Sequence, residues 1–127
     1  MEGSLKGMDV ALYVSKTVPC TLRRANRLTY LCYSDYLHST GRRMFDDGIV
    51  PTRYGPVVET VRGGFSEYCR EMTGKPSDAV SYRLDDTEVL EIPDDLSVLR
   101  ERILSVPDGR EIMDSIDATL RNSVHGE

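Results

Sequence analysis

The chain has no tryptophan, two phenylalanines and two histidines. With His38 and His125 as its whole supply of imidazole, it has few agents for acid–base catalysis or for a histidine-bound metal. Its three cysteines, Cys20, Cys32 and Cys69, are odd in number and widely spaced. That argues against a disulfide framework and against a zinc knuckle, and fits structural thiols in a reducing compartment. No apolar run approaches the roughly 18 residues a membrane-spanning helix needs. Residues 1–7 lack the apolar stretch of a secretory signal, so the expected address is the cytoplasm and that leader is expected to be mobile.

What is present suits one small domain. The 127 residues are 39% hydrophobic and 29% charged, enough for a single core and too apolar for outright disorder. The net charge is −5. It is unevenly spread: Lys and Arg outnumber Asp and Glu by ten to seven over residues 1–70, and are outnumbered six to fourteen over residues 71–127. An acidic chain is a poor generic binder of nucleic acid, which is held by neutralising its phosphates. Two local basic clusters remain, Arg23-Arg24-Arg27 and Arg42-Arg43. Each reads either as a solvated helix face or as a patch for an acidic partner.

The apolar spacing predicts a mainly α domain of about five helices with a small β element, over residues 8–122, and a frayed end at 123–127. A first helix is expected from Asp9 to Lys16, capped by Asp9 and stopped by Pro19. A second runs from Leu22 to Ser39, with Thr21 as its cap, Leu22, Ala25, Leu28, Cys32 and Tyr36 as its stripe, and Gly41 in the left-handed position after its end. Met44 and Phe45 pack onto the core, and Ile49 to Arg53 is a brief extended piece. A third helix is expected to start at Gly55-Pro56, because proline suits the first helical position. Its stripe is Val57, Val61, Phe65, Tyr68 and Met72, interrupted by Gly63-Gly64. Alternation at Val80, Tyr82 and Leu84, then Val89, Leu90 and Ile92, suggests a hairpin. A fourth helix, capped by Asp94 or Asp95, carries Leu96, Leu99, Ile103 and Val106. A fifth carries Ile112, Ile116 and Leu120.

Motifs for chemistry are weak. Gly64-Phe65-Ser66 starts like a nucleophile elbow, but Tyr68 replaces the closing glycine. Thr73-Gly74-Lys75-Pro76 echoes a phosphate loop without its upstream glycine or following hydroxyl. The pairs Asp46/Asp47 and Asp85/Asp86 fall in turns, where capping and solvation account for them. Residue chemistry alone therefore stops at a soluble helical domain that is not expected to be an enzyme, with no catalytic residue, metal or cofactor to name.

The stretch from Leu22 to Phe65 says more. Arg27-Leu28-Thr29-Tyr30, Leu37 and Gly41, Met44-Phe45, and Tyr54-Gly55-Pro56-Val57-Val58 occur in an order and spacing that resembles the Panacea domain, the group of SocA-like antitoxins and phage-associated proteins. Arg27 stands where that family has lysine, and Met44 where it has leucine. The similarity covers about half of the chain, and residues 108–122 depart from the family's later segment. The resemblance implies a helical antitoxin without catalytic residues, which binds a cognate protein toxin directly or, in SocA-like cases, presents it to a protease. Arg53, Tyr54, Gly55, Pro56, Arg27 and Tyr30 are the candidate partner-binding residues. Arginine and tyrosine are favoured interface anchors, and a Gly-Pro helix start would leave free backbone N–H groups. The same residues could equally turn the chain and pack inward. The alternative function is a nucleic-acid-binding, transcription-regulating domain using the arginines of the second helix.

Overall fold

The computed structural model describes residues 5–53, 55–61, 64, 92 and 94–125, without the side chains of 124 and 125. The elements are α1 (Gly7–Thr17), α2 (Leu22–Thr40), β1 (Ile49–Thr52), β2 (Gly55–Val58), α3 (Leu96–Leu104) and α4 (Gly109–His125), and helical backbone resumes at residues 59–61. The fold is mainly α, and the described residues include one small antiparallel sheet of two strands. The second hairpin expected between Val80 and Ile92 lies outside the described residues, apart from Ile92, which is buried. Phe65, Ser66, Tyr68, Cys69, Met72 and the segment Thr73-Gly74-Lys75-Pro76 lie outside them as well.

Helix α2 ends where local chemistry ends it. The Thr21 hydroxyl accepts from the Arg24 N–H at 3.3 Å, which satisfies one of the donors a helix start leaves open. Gly41 takes φ = 75° and donates its N–H to the Leu37 carbonyl at 2.8 Å, the left-handed stop that glycine adopts without strain. The buried face holds Ala25, Asn26, Leu28, Thr29, Cys32 and Tyr36. The Thr29 hydroxyl is satisfied within the helix by the Ala25 carbonyl at 2.7 Å.

Helix α1 is the most enclosed element, with Val10 through Ser15 all buried. Order begins before the expected helix start: Leu5 is buried within the stretch read as a mobile leader, and Gly7 opens the helix. Asp9 is not its cap. It lies inside the first turn, and Lys6 in the cap position makes no side-chain bond. The cap comes from far along the chain, where Asp47 Oδ1 accepts from the Gly7 N–H at 3.0 Å. The other oxygen of Asp47 accepts from the Thr60 hydroxyl. One carboxylate thus joins the start of α1 to the segment on either side of the hairpin, at the positive end of a helix dipole.

Helix α3 is capped by Asp95, which accepts from the N–H and the hydroxyl of Ser97, both at 2.9 Å. Those bonds hold its carboxyl below the ordinary aspartate range. Leu99 and Ile103 enter the core, whereas Leu96, expected on the same stripe, is 37% exposed. Three residues from Leu99, it stands in the first turn, outside the packed part of the helix. Helix α4 buries Ile112, Met113, Ile116, Thr119 and Leu120 and runs on to His125, into the stretch expected to fray. The α3–α4 corner is tight. Asp108 has φ = 64°, and a β-carbon on Gly109 would stand 2.5 Å from the Ile103 carbonyl oxygen and 2.7 Å from that of Leu104. Only glycine fits there without moving backbone.

The helices pack pairwise as α1 on α2, α2 on α4, α4 on α3 and α3 on α1, which closes a ring around one apolar core. Met44 and Phe45 are buried in it. The hairpin lies against α2.

Candidate interaction surface

Gly55-Pro56 does not start a helix. It lies in β2, which pairs antiparallel with β1 in the register Ile49–Val58, Val50–Val57, Pro51–Pro56, Thr52–Gly55. The free N–H groups expected of a helix start are therefore not at this place, and helical backbone begins only at Glu59. Two prolines are tolerated in so short a ladder because of its phase. The Glu59 N–H donates to the Gly48 carbonyl at 3.2 Å. Antiparallel pairs alternate between bonded and non-bonded, so Ile49–Val58 and Pro51–Pro56 are the non-bonded pairs, whose polar groups face away from the partner strand. Proline lacks the very donor that would have pointed outward. Both edges are thereby blunted against pairing with a further strand.

At Val58 the outward polar groups are taken up by a side chain. The Val58 N–H donates to Asn26 Oδ1 at 2.7 Å, and Asn26 Nδ2 donates to the Val58 carbonyl at 3.1 Å, both bonds buried. The carboxamide of Asn26 stands in for a third strand at one residue. An asparagine inside a helix is a poor helix former, and this one lies on the buried face. That combination is the signal in the sequence, and the periodicity argument passed over it. Asp47 was likewise read as a turn residue. Its partner Gly7 is 40 residues away, which no local pattern reports.

The candidate residues divide into two groups. Arg53, half-buried Gly55 and exposed Pro56 share the hairpin tip, where Gly55 takes φ = 111° and its carbonyl accepts from the Thr52 hydroxyl at 2.7 Å. Tyr54 lies outside the described residues. Arg27 and Tyr30 are on α2, beginning at the residue after Asn26. Arg27 is exposed. Tyr30 is half-buried and stacked on Tyr33, 6.4 Å between centroids, and Tyr33 leans on buried Phe45 at 4.9 Å. The Asn26–Val58 clamp joins the two elements that carry these groups. Gly55 is three residues, about 10 Å, along the strand from the clamp. Among the described residues no hydrogen bond joins Arg27 or Tyr30 to the tip.

Elsewhere, among the described residues, several ionisable groups serve the packing of the helices. The Tyr13 hydroxyl donates to Asp117 at 2.5 Å and accepts from Arg100 at 3.1 Å, tying α1, α3 and α4 together. Burial, and then the Asp117 carboxylate, push the Tyr13 phenol above its ordinary pKa. Burial also raises the thiols of Cys20 and Cys32, so neither is an activated nucleophile. Among the described residues no three His, Cys, Asp or Glu side chains are grouped to hold a metal ion, and no helix is long and apolar enough to cross a membrane. No family model, no curated protein and no solved structure matches the chain.

Proposed function

We propose that the chain is a protein-binding module of the antitoxin type, which suppresses a cognate protein toxin by covering it, with no bond made or broken. The observation that carries this reading is the Asn26–Val58 clamp. A buried bidentate link fixes a short hairpin against α2, with the tip residues Arg53, Gly55 and Pro56 beyond it on the hairpin and Arg27 and Tyr30 on the helix that holds it. Preorganised loops and helix faces with arginine and tyrosine lose little entropy on binding. Blunted strand edges mean that a partner is met by side chains and by the tip, not by strand addition. The resemblance of residues 22–65 to SocA-like antitoxins supports the same class, and in that class delivery to a protease is a second use of the same contact.

The test is co-expression with the product of the adjacent gene in the native genome. Full-length chain is expected to restore growth, and the Arg53→Ala/Tyr54→Ala double variant, folded by circular dichroism, to lose most of that rescue. Full rescue by the folded double variant removes the hairpin tip from the contact. A neighbouring product that is harmless alone and does not bind the chain removes the antitoxin reading.

A further inference from the structure

We propose that Asp47-Gly48 is a site of spontaneous backbone isomerisation, gated by the first turn of α1, and that its reaction removes the cap of that helix. The inference is independent of any partner. Asp-Gly occurs twice in the chain, at 47–48 and at 108–109. Glycine places no side chain beside the backbone nitrogen that follows the aspartate, so in these pairs the nitrogen can approach the carboxyl carbon.

The chemistry needs only water. With the Asp47 carboxyl protonated, the Gly48 nitrogen attacks Cγ. A C–N bond forms, and the amide proton and the carboxyl hydroxyl leave together as one water, giving a five-membered cyclic imide. A second water opens the ring. Attack at Cγ restores aspartate. Attack at the backbone carbonyl carbon of Asp47 leaves isoaspartate, whose main chain runs through Cβ and Cγ and whose carboxylate now sits on Cα.

The two pairs stand in different surroundings. Gly109 is buried, its N–H donates to the Val106 carbonyl at 2.9 Å, and the carbonyls of Ile103 and Leu104 crowd it. That corner leaves its nitrogen no room to turn towards Asp108. Gly48 is exposed, and a β-carbon on it would meet nothing within 4 Å. Among the described residues its N–H meets no hydrogen-bond acceptor. What restrains this pair is the carboxylate. Its Oδ1 accepts from the Gly7 N–H at 3.0 Å and its Oδ2 from the exposed Thr60 hydroxyl. Two donors at the positive end of a helix favour the ionised form and hold it away from its own backbone. The reaction therefore waits until the start of α1 opens, and its rate is the chemical rate scaled by the open fraction. Once isoaspartate has formed, the carboxylate hangs from a different carbon on a lengthened main chain. The two bonds are not remade, and α1 stays uncapped.

The test incubates the full chain at mildly acidic pH and physiological temperature. Isomers have equal mass, so the tryptic peptides 44–53 and 103–110, which separate the two sites, are resolved by chromatography and electron-based fragmentation. Isoaspartate is expected at 47 ahead of 108 in the folded wild type, and more slowly than at 47 in urea. Thr60→Val, folded by circular dichroism, removes one of the two restraining bonds and is expected to speed conversion at 47 about fivefold. Gly48→Ala, for which there is space, is expected to suppress it. The isomerised fraction should exchange the Gly7 amide faster than the unreacted chain. Conversion at 108 before 47, no conversion at 47 in the folded chain while the chain in urea converts, or a rate unchanged by folded Thr60→Val would each overturn the proposal. So would isomerised chain in which Gly7 stays as protected as before.

Discussion

The hairpin and the C-terminal helix are fastened to α2 by opposite means. The hairpin is held by a neutral amide wholly inside the protein, with each partner atom of Asn26 and Val58 satisfied by the other. Helix α4 is held by apolar packing around Ile116 and Met113, with polar contacts to α2 at its rim: the buried Tyr36 and half-exposed Arg42 on half-exposed Glu111, Arg42 near Asp108, and the buried Thr119 hydroxyl on Asp35. A buried polar pair is costly to break, because each orphaned group keeps its desolvation penalty. An exposed ion pair is replaced by water at little cost. The hairpin's link to α2 therefore leans on one buried side chain, whereas the exposed ion pair of Arg42 is the least consequential of the contacts that hold α4.

The sharpest way to break that contrast is Asn26→Ala. It leaves the N–H and the carbonyl of Val58 buried without partners, for a cost of about 3 kcal/mol or more in denaturant unfolding. The Val58 amide is expected to lose its protection from hydrogen exchange ahead of the α4 amides. Equal loss in both places, or a cost below about 1 kcal/mol, would show that packing of Val58 alone secures the hairpin.

A second variant asks whether α4 is as tolerant as its rim suggests. Gly109→Ala drives a methyl group into the carbonyls of Ile103 and Leu104. The corner must open, and about 2 kcal/mol of stability is expected to go with it. A near-neutral result in thermal unfolding would mean that the α3–α4 corner yields freely.

How far the sequence reports these joints depends on their range. The helical periodicity of α2 and α4 and the caps Thr21, Gly41 and Asp95 were legible because each rests on residues within one or two turns. Gly55-Pro56 was misread because the missing N–H that suits proline to a helix start also suits it to an outward position in a strand. What decides between them is Pro51 and the rest of β1 across the register, a tertiary fact. Asp47 capping α1 across 40 residues is of the same kind. Among the candidate binding residues, the sequence left open whether Arg27 and Pro56 face outward or pack inward, and both are exposed. The link that sets α2 beside the hairpin, Asn26, is recognisable afterwards as a polar residue on a buried stripe.

The Tyr13 hydroxyl, bonded to both Asp117 and Arg100, is intermediate between the two kinds of fastening. Tyr13→Phe is expected to cost about 1 kcal/mol at neutral pH. The wild-type phenol titrates above its ordinary value because burial and Asp117 disfavour the phenolate. The unfolded chain then loses this proton first, so folding stability falls as pH rises. The contribution is complete below the ordinary tyrosine pKa of 10.0 and is lost as pH climbs through the raised folded-state value. Tyr13→Phe should flatten that part of the alkaline limb in a pH series of thermal melts. An unchanged limb would place the alkaline sensitivity elsewhere.

The smallest effect belongs to the rim. Arg42 meets Glu111, approaches Asp108 and covers the Tyr36 ring, yet about half of its side chain and of each acid is exposed. In that setting Coulomb attraction is weakened by solvent and offset by the entropy of holding long side chains still, so Arg42→Ala is expected to cost less than about 1 kcal/mol. The sign of the salt dependence makes the result informative. At about 1 M salt the screening length is about 3 Å, and the wild type and Arg42→Ala should become indistinguishable in stability. A difference that survives that salt would come from packing of the guanidinium on Tyr36, which salt does not screen, and α4 would then share with the hairpin a fastening that depends on one residue.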